Sequence, residues 1–212
     1  MDFSPSAEQE MIISTVRSFV EKEIYPHEKL VEDLGYVPTE IAADIKAKVL
    51  DLGFYACNFP ESVGGAGLSH LEFAFVEREL GRGSMALTHF FGRPQNILMA
   101  CKGDQITQYL KPAVRGARMD ALAMTEPDAG SDVRGMKTNA RRDGTDWVLN
   151  GTKHFISGAE HADFVIVFVA TGEEATHAGP KKKITTFLVD RGTKGFTIRD
   201  GYKSVSHRGY KN

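Results

Sequence analysis

The chain has 212 residues, 42% of them hydrophobic and 25% charged, and a formal charge of −2. That make-up is enough for a buried core in one large domain or two small ones, and it gives no global attraction to nucleic acid or to an anionic membrane. Cys57 and Cys101 are the only cysteines, with no C-x-x-C and no cluster of histidines around either, which argues against a disulfide framework or a metal site and fits a reducing setting.

No apolar run approaches the ~20 residues of a membrane span. Met1-Asp2-Phe3-Ser4-Pro5-Ser6 lacks the basic and apolar regions of a secretory leader. A cytoplasmic protein is expected, or a mitochondrial matrix protein if the chain is processed.

Ser6 with Gln9 makes a capping box, and Ile12, Val16, Phe19, Val20 and Ile24 follow at helical spacing until Pro26, which is expected to stop the run. A second helix is predicted from Thr39, with Ile41, Ile45, Val49 and Leu52 on one stripe and Gly53 past its last turn. Ser69 with Glu72 opens a third, running to Gly81. Between the last two lies Pro60-Glu61-Ser62-Val63-Gly64-Gly65-Ala66-Gly67. It is not a phosphate cradle, since it follows no strand, has no Lys-Ser/Thr pair and lacks dinucleotide spacing. Residues 85–113 read as mostly helical, broken at Gly92-Arg93-Pro94.

The period then changes. Residues 147–149, 164–169, 184–189 and 196–198 are short β-rich runs, and Arg142-Asp143-Gly144-Thr145 reads as the turn of a hairpin joining residues 137–140 to 147–150. Residues 171–183 read as a long loop. Helices first and strands second predict an α+β chain: an all-helical domain over residues 1–118 and an antiparallel β-sheet domain over 119–212, against the alternation a Rossmann fold needs.

At that change lies Ala123-Met124-Thr125-Glu126-Pro127-Asp128-Ala129-Gly130-Ser131-Asp132. Pro, Asp, Gly and Ser clusters are ordinary turn material. Here, however, Gly130 allows close approach to the backbone, and the hydroxyls of Thr125 and Ser131 can donate and accept. In such a turn Glu126 and Asp132 more often accept backbone N–H bonds than act as an acid/base pair, so the structural role is expected for both. A second segment, Gly151-Thr152-Lys153-His154-Phe155-Ile156-Ser157-Gly158, reads as a strand, with His154 facing away from Phe155. Arg93 is a candidate for contact with a polar acyl tail, and a surface or helix-end arginine is the simpler reading.

These residues resemble the acyl-CoA dehydrogenase family. The first segment matches its A-x-T-E-P-x-A-G-S-D pattern, the second its G-x-K-x-[W/F]-I-[T/S] pattern, and residues 60–67 its P-E-x-x-G-G-x-G loop. The resemblance runs over essentially the whole chain but covers only about the first half of a family member.

It implies an FAD site formed by Leu122, Ala123, Met124, Thr125, Gly130, Ser131, Phe155, Ile156 and Ser157, with Ser131 also reaching the acyl-CoA. It further implies oxidation of an acyl-CoA thioester to the trans-2-enoyl-CoA, by α-proton abstraction and hydride transfer to flavin N5. No catalytic residue is expected within the chain, since the family's carboxylate base belongs to a C-terminal helical domain absent here. The β domain also continues past a segment like residues 201–209. Electron-transfer flavoprotein is the implied electron acceptor, and a homotetramer, a dimer or completion by a second chain the implied assembly. A related flavin oxidase or monooxygenase, or a non-catalytic subunit, would share the two motifs.

Overall fold

The computed structural model describes residues 4–177, 179–199, 201, 202 and 204–211. Met1–Phe3 of the leader reading, Ala178 in the 171–183 segment and Lys203 in the 201–209 segment lie outside them, as do Asp200 and Asn212. The chain divides into two compact units, one of residues up to Arg118 together with 204–210, the other of Met119–Tyr202 with Lys211.

The helical unit begins as its caps dictate. The Ser6 hydroxyl accepts from Gln9 N at 3.2 Å while Gln9 Oε1 accepts from Ser6 N at 2.9 Å, starting α1 at Ala7–Phe19. Pro26 does not stop the run. A π-helical turn over Val20–Ile24 leads straight into α2, Tyr25–Leu34, with Pro26 in its first turn. Proline is tolerated there because first-turn N–H groups have no intrahelical partner, and the wider turn absorbs the bonding mismatch. Gly35, at φ +74°, closes α2.

Helix α3, Thr39–Asp51, buries Ile45 and Val49, whereas Leu52 is exposed rather than part of the buried stripe. Helix α4, His70–Leu80, is capped by Ser69 and Glu72. The mostly helical stretch after it is a series of short pieces, including α5 at Met85–Thr88 and α6 at Lys111–Val114. Val16, Ile24, Ile45, Phe59, Leu80, Leu87, Phe91 and Leu98 are almost wholly buried. Each such side chain contributes about 1.5–3 kcal/mol.

One buried charge joins α1 to α4. Glu79, 2% exposed, accepts from Arg17 Nε at 2.9 Å and from Arg78 NH2 at 2.9 Å, with Arg82 at 3.8 Å. The guanidinium of Arg17 holds the Glu79 carboxyl below its ordinary range against the opposing effect of burial. Arg93, for its part, donates to Glu77 at 2.7 Å. It lies in irregular chain just past a 3₁₀ turn at His89–Phe91.

The second unit is built on β4, Phe164–Thr176. Strand β1, Asp120–Ala123, runs parallel to it with Leu122 opposite Ile166. Strand β5, Gly179–Asp190, runs antiparallel along the other edge. Strands β2, Asn139–Asp143, and β3, Asp146–Asn150, form the expected hairpin, and β2 meets β4 in parallel at Asn139 and Ala170.

The sheet is therefore mixed rather than wholly antiparallel. The chain leaves β1 and passes through the hairpin before it returns as β4, so β1 and β4 point the same way. Two further expectations fail. The predicted loop at 171–183 is the polar far end of the β4–β5 ribbon, with Glu173 opposite Lys182 and Glu174 opposite Lys181. Residues 196–198 form no strand, and Phe196 and Ile198 instead pack against the sheet's core cluster of Ala121, Ala123, Ala140, Ala162, Val165, Val167 and Val169.

Candidate functional site

The two sequence segments meet. After β1 the chain makes a tight turn in which Glu126 N donates to Ala129 O at 2.9 Å and Ala129 N to Glu126 O at 3.2 Å, spanning Pro127 and Asp128. The turn's shape is set from inside by the Glu126 carboxylate, which accepts from Lys137 N at 2.6 Å and Thr138 N at 3.0 Å. Its third partner is Lys153, whose ammonium lies 2.8 Å from Oε1 and donates also to Met124 O at 2.9 Å. The side chains of Lys153 and Glu126 are only 9% and 4% exposed. His154 N then donates to Thr125 O at 2.8 Å.

A buried ion pair and a main-chain bond thus fasten residues 151–158 to residues 123–132. The carboxylate of Glu126 is structural, as turn chemistry suggests. Lys153 is a functional residue that sequence reasoning misses: a lysine in a run that reads as strand gives no sign of burial, and its carboxylate partner lies 27 residues away.

Burial pushes the Glu126 carboxyl up, but Lys153 and the N–H groups of Lys137 and Thr138 outweigh it and bring it from an ordinary 4.5 down to about 2. A carboxyl depressed in the folded state stabilises the fold above its unfolded value and loses that contribution as pH falls toward the folded one. The contribution is about 3 kcal/mol. Acid denaturation should therefore show a loss of stability between pH 4.5 and 2 that Glu126→Gln largely abolishes, measured by denaturant midpoints at each pH. An unchanged slope in that window would contradict the assignment.

The segment 151–158 is not a strand. Gly151 takes φ +150°, Phe155 takes φ +56° and Gly158 takes φ +68°. Gly151 is obligatory because a Cβ there would lie 2.6 Å from Thr138 Cα. Without strand alternation His154 does not face away from Phe155; the two rings stack with centroids 3.9 Å apart.

Among the expected ligand residues, Thr125 is half-buried, while Gly130, Ser131 and Ser157 are exposed. The hydroxyls of Thr125 and Ser131, and the main-chain N–H groups of Thr125, Gly130 and Ser131, have no protein partner among the described residues. Phe155 is 55% exposed although aromatic. Leu122 and Met124 are half-buried, Ala123 is buried in the sheet's core cluster and Ile156 packs against it. No group of three or more His, Cys, Asp or Glu is placed to hold a metal among the described residues, and none of their helices is long and apolar enough to cross a membrane.

Unpaired donors on a shaped turn, beside an exposed aromatic ring in a strained conformation, suit a planar, hydrogen-bonding ligand. Comparison with known proteins gives the family. The pattern of the acyl-CoA dehydrogenase N-terminal domain matches residues 6–117, and that of the middle domain matches residues 121–212. A benzylmalonyl-CoA dehydrogenase of Aromatoleum aromaticum is 36% identical over 205 residues, 93% of this chain and 51% of the relative.

Among solved structures, a glutaryl-CoA dehydrogenase of Mycobacterium smegmatis in complex with FADH2 superposes with a TM-score of 0.81 at 28% identity, over 98% of this chain and 51% of that one. A glutaryl-coenzyme A dehydrogenase in complex with glutaryl-CoA gives 0.83 at 31% identity, over 100% and 54%. The chain spans about half the length of the curated relatives it matches. With both patterns matched end to end along its length, the chain belongs to the acyl-CoA dehydrogenase family.

Proposed function

We propose that this chain is the flavin-binding part of an enzyme that oxidises an acyl-CoA thioester to its 2-enoyl form. The observation that carries the reading is the fastening of the two motif segments by Glu126 and Lys153, with the Thr125 and Ser131 hydroxyls free of protein partners among the described residues and the Phe155 ring exposed on the same unit.

These residues fit FAD. Thr125 and the free N–H groups of the turn offer donors to the electron-rich edge of a flavin ring, where fixed dipoles stabilise added charge. Phe155 offers an aromatic face, and Ser131 a donor to cofactor phosphate or to the thioester. Bound FAD supplies the acceptor for the substrate's β-hydrogen. Glu126 does not take the α-proton, because its carboxylate is buried, ion-paired and held at about 2. In this reading the base comes from the remainder of the protein, electron-transfer flavoprotein takes the electrons, and the assembly is a homo-oligomer.

The test is reduction of bound flavin by a panel of acyl-CoA thioesters, with the complete polypeptide. Bleaching of the flavin band by at least one thioester is expected, and no bleaching with any would sink the proposal.

A further inference from the structure

Phe155 is not held by its own backbone alone. His154 stacks on it with planes 24° apart and centroids separated by 3.9 Å. Tyr202 lies 5.1 Å from the Phe155 ring and 5.1 Å from the His154 ring. Its hydroxyl is 2.6 Å from His154 Nε2. These three distances place Tyr202 beside the stacked pair, not over it. One face of Phe155 is closed by His154, its flank is closed by Tyr202, and the opposite face is left open.

His154 is itself anchored, since its main-chain N–H donates to Thr125 O at 2.8 Å. The ring cluster is thus tied to the turn that carries the free donors.

A non-glycine residue at φ +56° is held only where its surroundings over-determine it. An exposed phenylalanine loses rotamer freedom when a ligand fixes it, and prior ordering lowers that cost. We propose that His154 and Tyr202 are positioning residues that clasp Phe155 and preset its open face for a planar aromatic ring system. The inference rests on Phe155 being a flavin contact, and it adds two residues that neither motif assigns to cofactor binding. Tyr202 acts through His154 and Phe155 and touches no cofactor itself.

The clasp is tested first without ligand. In the flavin-free full chain, Tyr202→Phe removes one hydroxyl and should shift the His154 imidazole nitrogen resonances. Unchanged resonances would show that no such bond exists and would overturn the proposal. The second measurement is a double-mutant cycle on FAD affinity, followed by flavin fluorescence and visible absorbance.

Tyr202→Ala should weaken FAD binding about three- to tenfold, the weight of one aromatic pair, and Tyr202→Phe should recover part of it. In a Phe155→Ala background Tyr202→Ala should have no further effect, because it acts through that ring. The absorbance of the flavin that still binds to Tyr202→Ala should be displaced, while the denaturant midpoint stays within that of the parent chain.

Additive losses in the cycle, or wild-type affinity for Tyr202→Ala, overturn the clasp while leaving the flavin reading intact. If Phe155→Ala itself binds FAD as well as the wild type, the assignment of Phe155 falls and the clasp falls with it.

Discussion

Replacing Glu126 with alanine should cost the sheet unit about 4 kcal/mol and abolish measurable flavin affinity in the same step. The residue is 5% exposed and its carboxylate meets Lys153, Lys137 N and Thr138 N, so its removal strands one buried ammonium and two main-chain donors together. Breaking a buried pair by deleting one partner costs about 3–5 kcal/mol, and each unsatisfied buried donor about 1–3, with the terms far from additive.

The pairing can be separated from the hydrogen bonds. Lys153→Met leaves the N–H bonds from Lys137 and Thr138 intact but strands the carboxylate. The double change Glu126→Leu/Lys153→Met removes both charges and should regain part of the loss, about 1–2 kcal/mol over the single Glu126→Ala. It cannot regain all of it, because the two N–H groups stay unpaired. Denaturant midpoints of the three variants and the parent decide the matter; a Glu126→Ala chain within 1 kcal/mol of the parent would mean that water replaces the carboxylate at about its full worth.

The second large effect lies in the helical unit. Gly65→Ala should destabilise that unit by about 3 kcal/mol, at the upper end of overpacking costs. A Cβ on Gly65 would stand 2.1 Å from Phe59 O and 2.7 Å from Ala56 O. Both are main-chain atoms, so no side-chain rotation relieves the clash. The same backbone carries ordered bonds, with Phe59 O accepting from Gly67 N at 2.9 Å and Pro60 O from Gly65 N at 3.2 Å. Displacing it therefore breaks the loop. Gly67→Ala is the comparison, since its Cβ would meet only the flexible Glu61 side chain at 3.6 Å, leaving just the strain of φ +69°. Equal stability losses for the two variants would contradict the argument from close approach.

The contrast between these glycines shows what the sequence reveals and what it hides. Residues 60–67 are readable as something other than a phosphate cradle by what they lack, but their purpose, chain passing over chain, depends on Phe59 folding back beneath Gly65. Caps were readable at Ser6 and Ser69 because a capping box is local: one hydroxyl, one side chain three residues on. Pro26 misled because the rule against proline holds for helix interiors, and a π-helical turn at Val20–Ile24 makes it a first-turn residue.

The 171–183 ribbon was hidden for a different reason. Mostly exposed and charged, Glu173, Glu174, Lys181 and Lys182 give no alternation of apolar and polar residues, and only cross-strand register reveals the pairing.

At the candidate site the turn residues were legible and their fastening was not. Thr125, Glu126, Gly130 and Ser131 carry hydroxyl, carboxylate and glycine chemistry on the face of the sequence. That Glu126 reaches across to Lys153, 27 residues on, is a long-range fact. So is the departure from strand geometry at 151–158, where Gly151, Phe155 and Gly158 all sit at positive φ. The consequence was a mistaken orientation for His154, which stacks on Phe155 rather than facing away from it.

Reception of a flavin by this turn and the Phe155 ring together is the central claim. It is tested most directly by titrating FAD into the full chain and into Phe155→Ala and Thr125→Val variants, with denaturant midpoints run in parallel. Saturable binding by the parent chain is predicted, weakened about three- to tenfold by the loss of the Phe155 ring and by a similar factor by the loss of the Thr125 hydroxyl, with stability unchanged in both. Absence of binding by the parent, or affinity untouched by both substitutions, would contradict it.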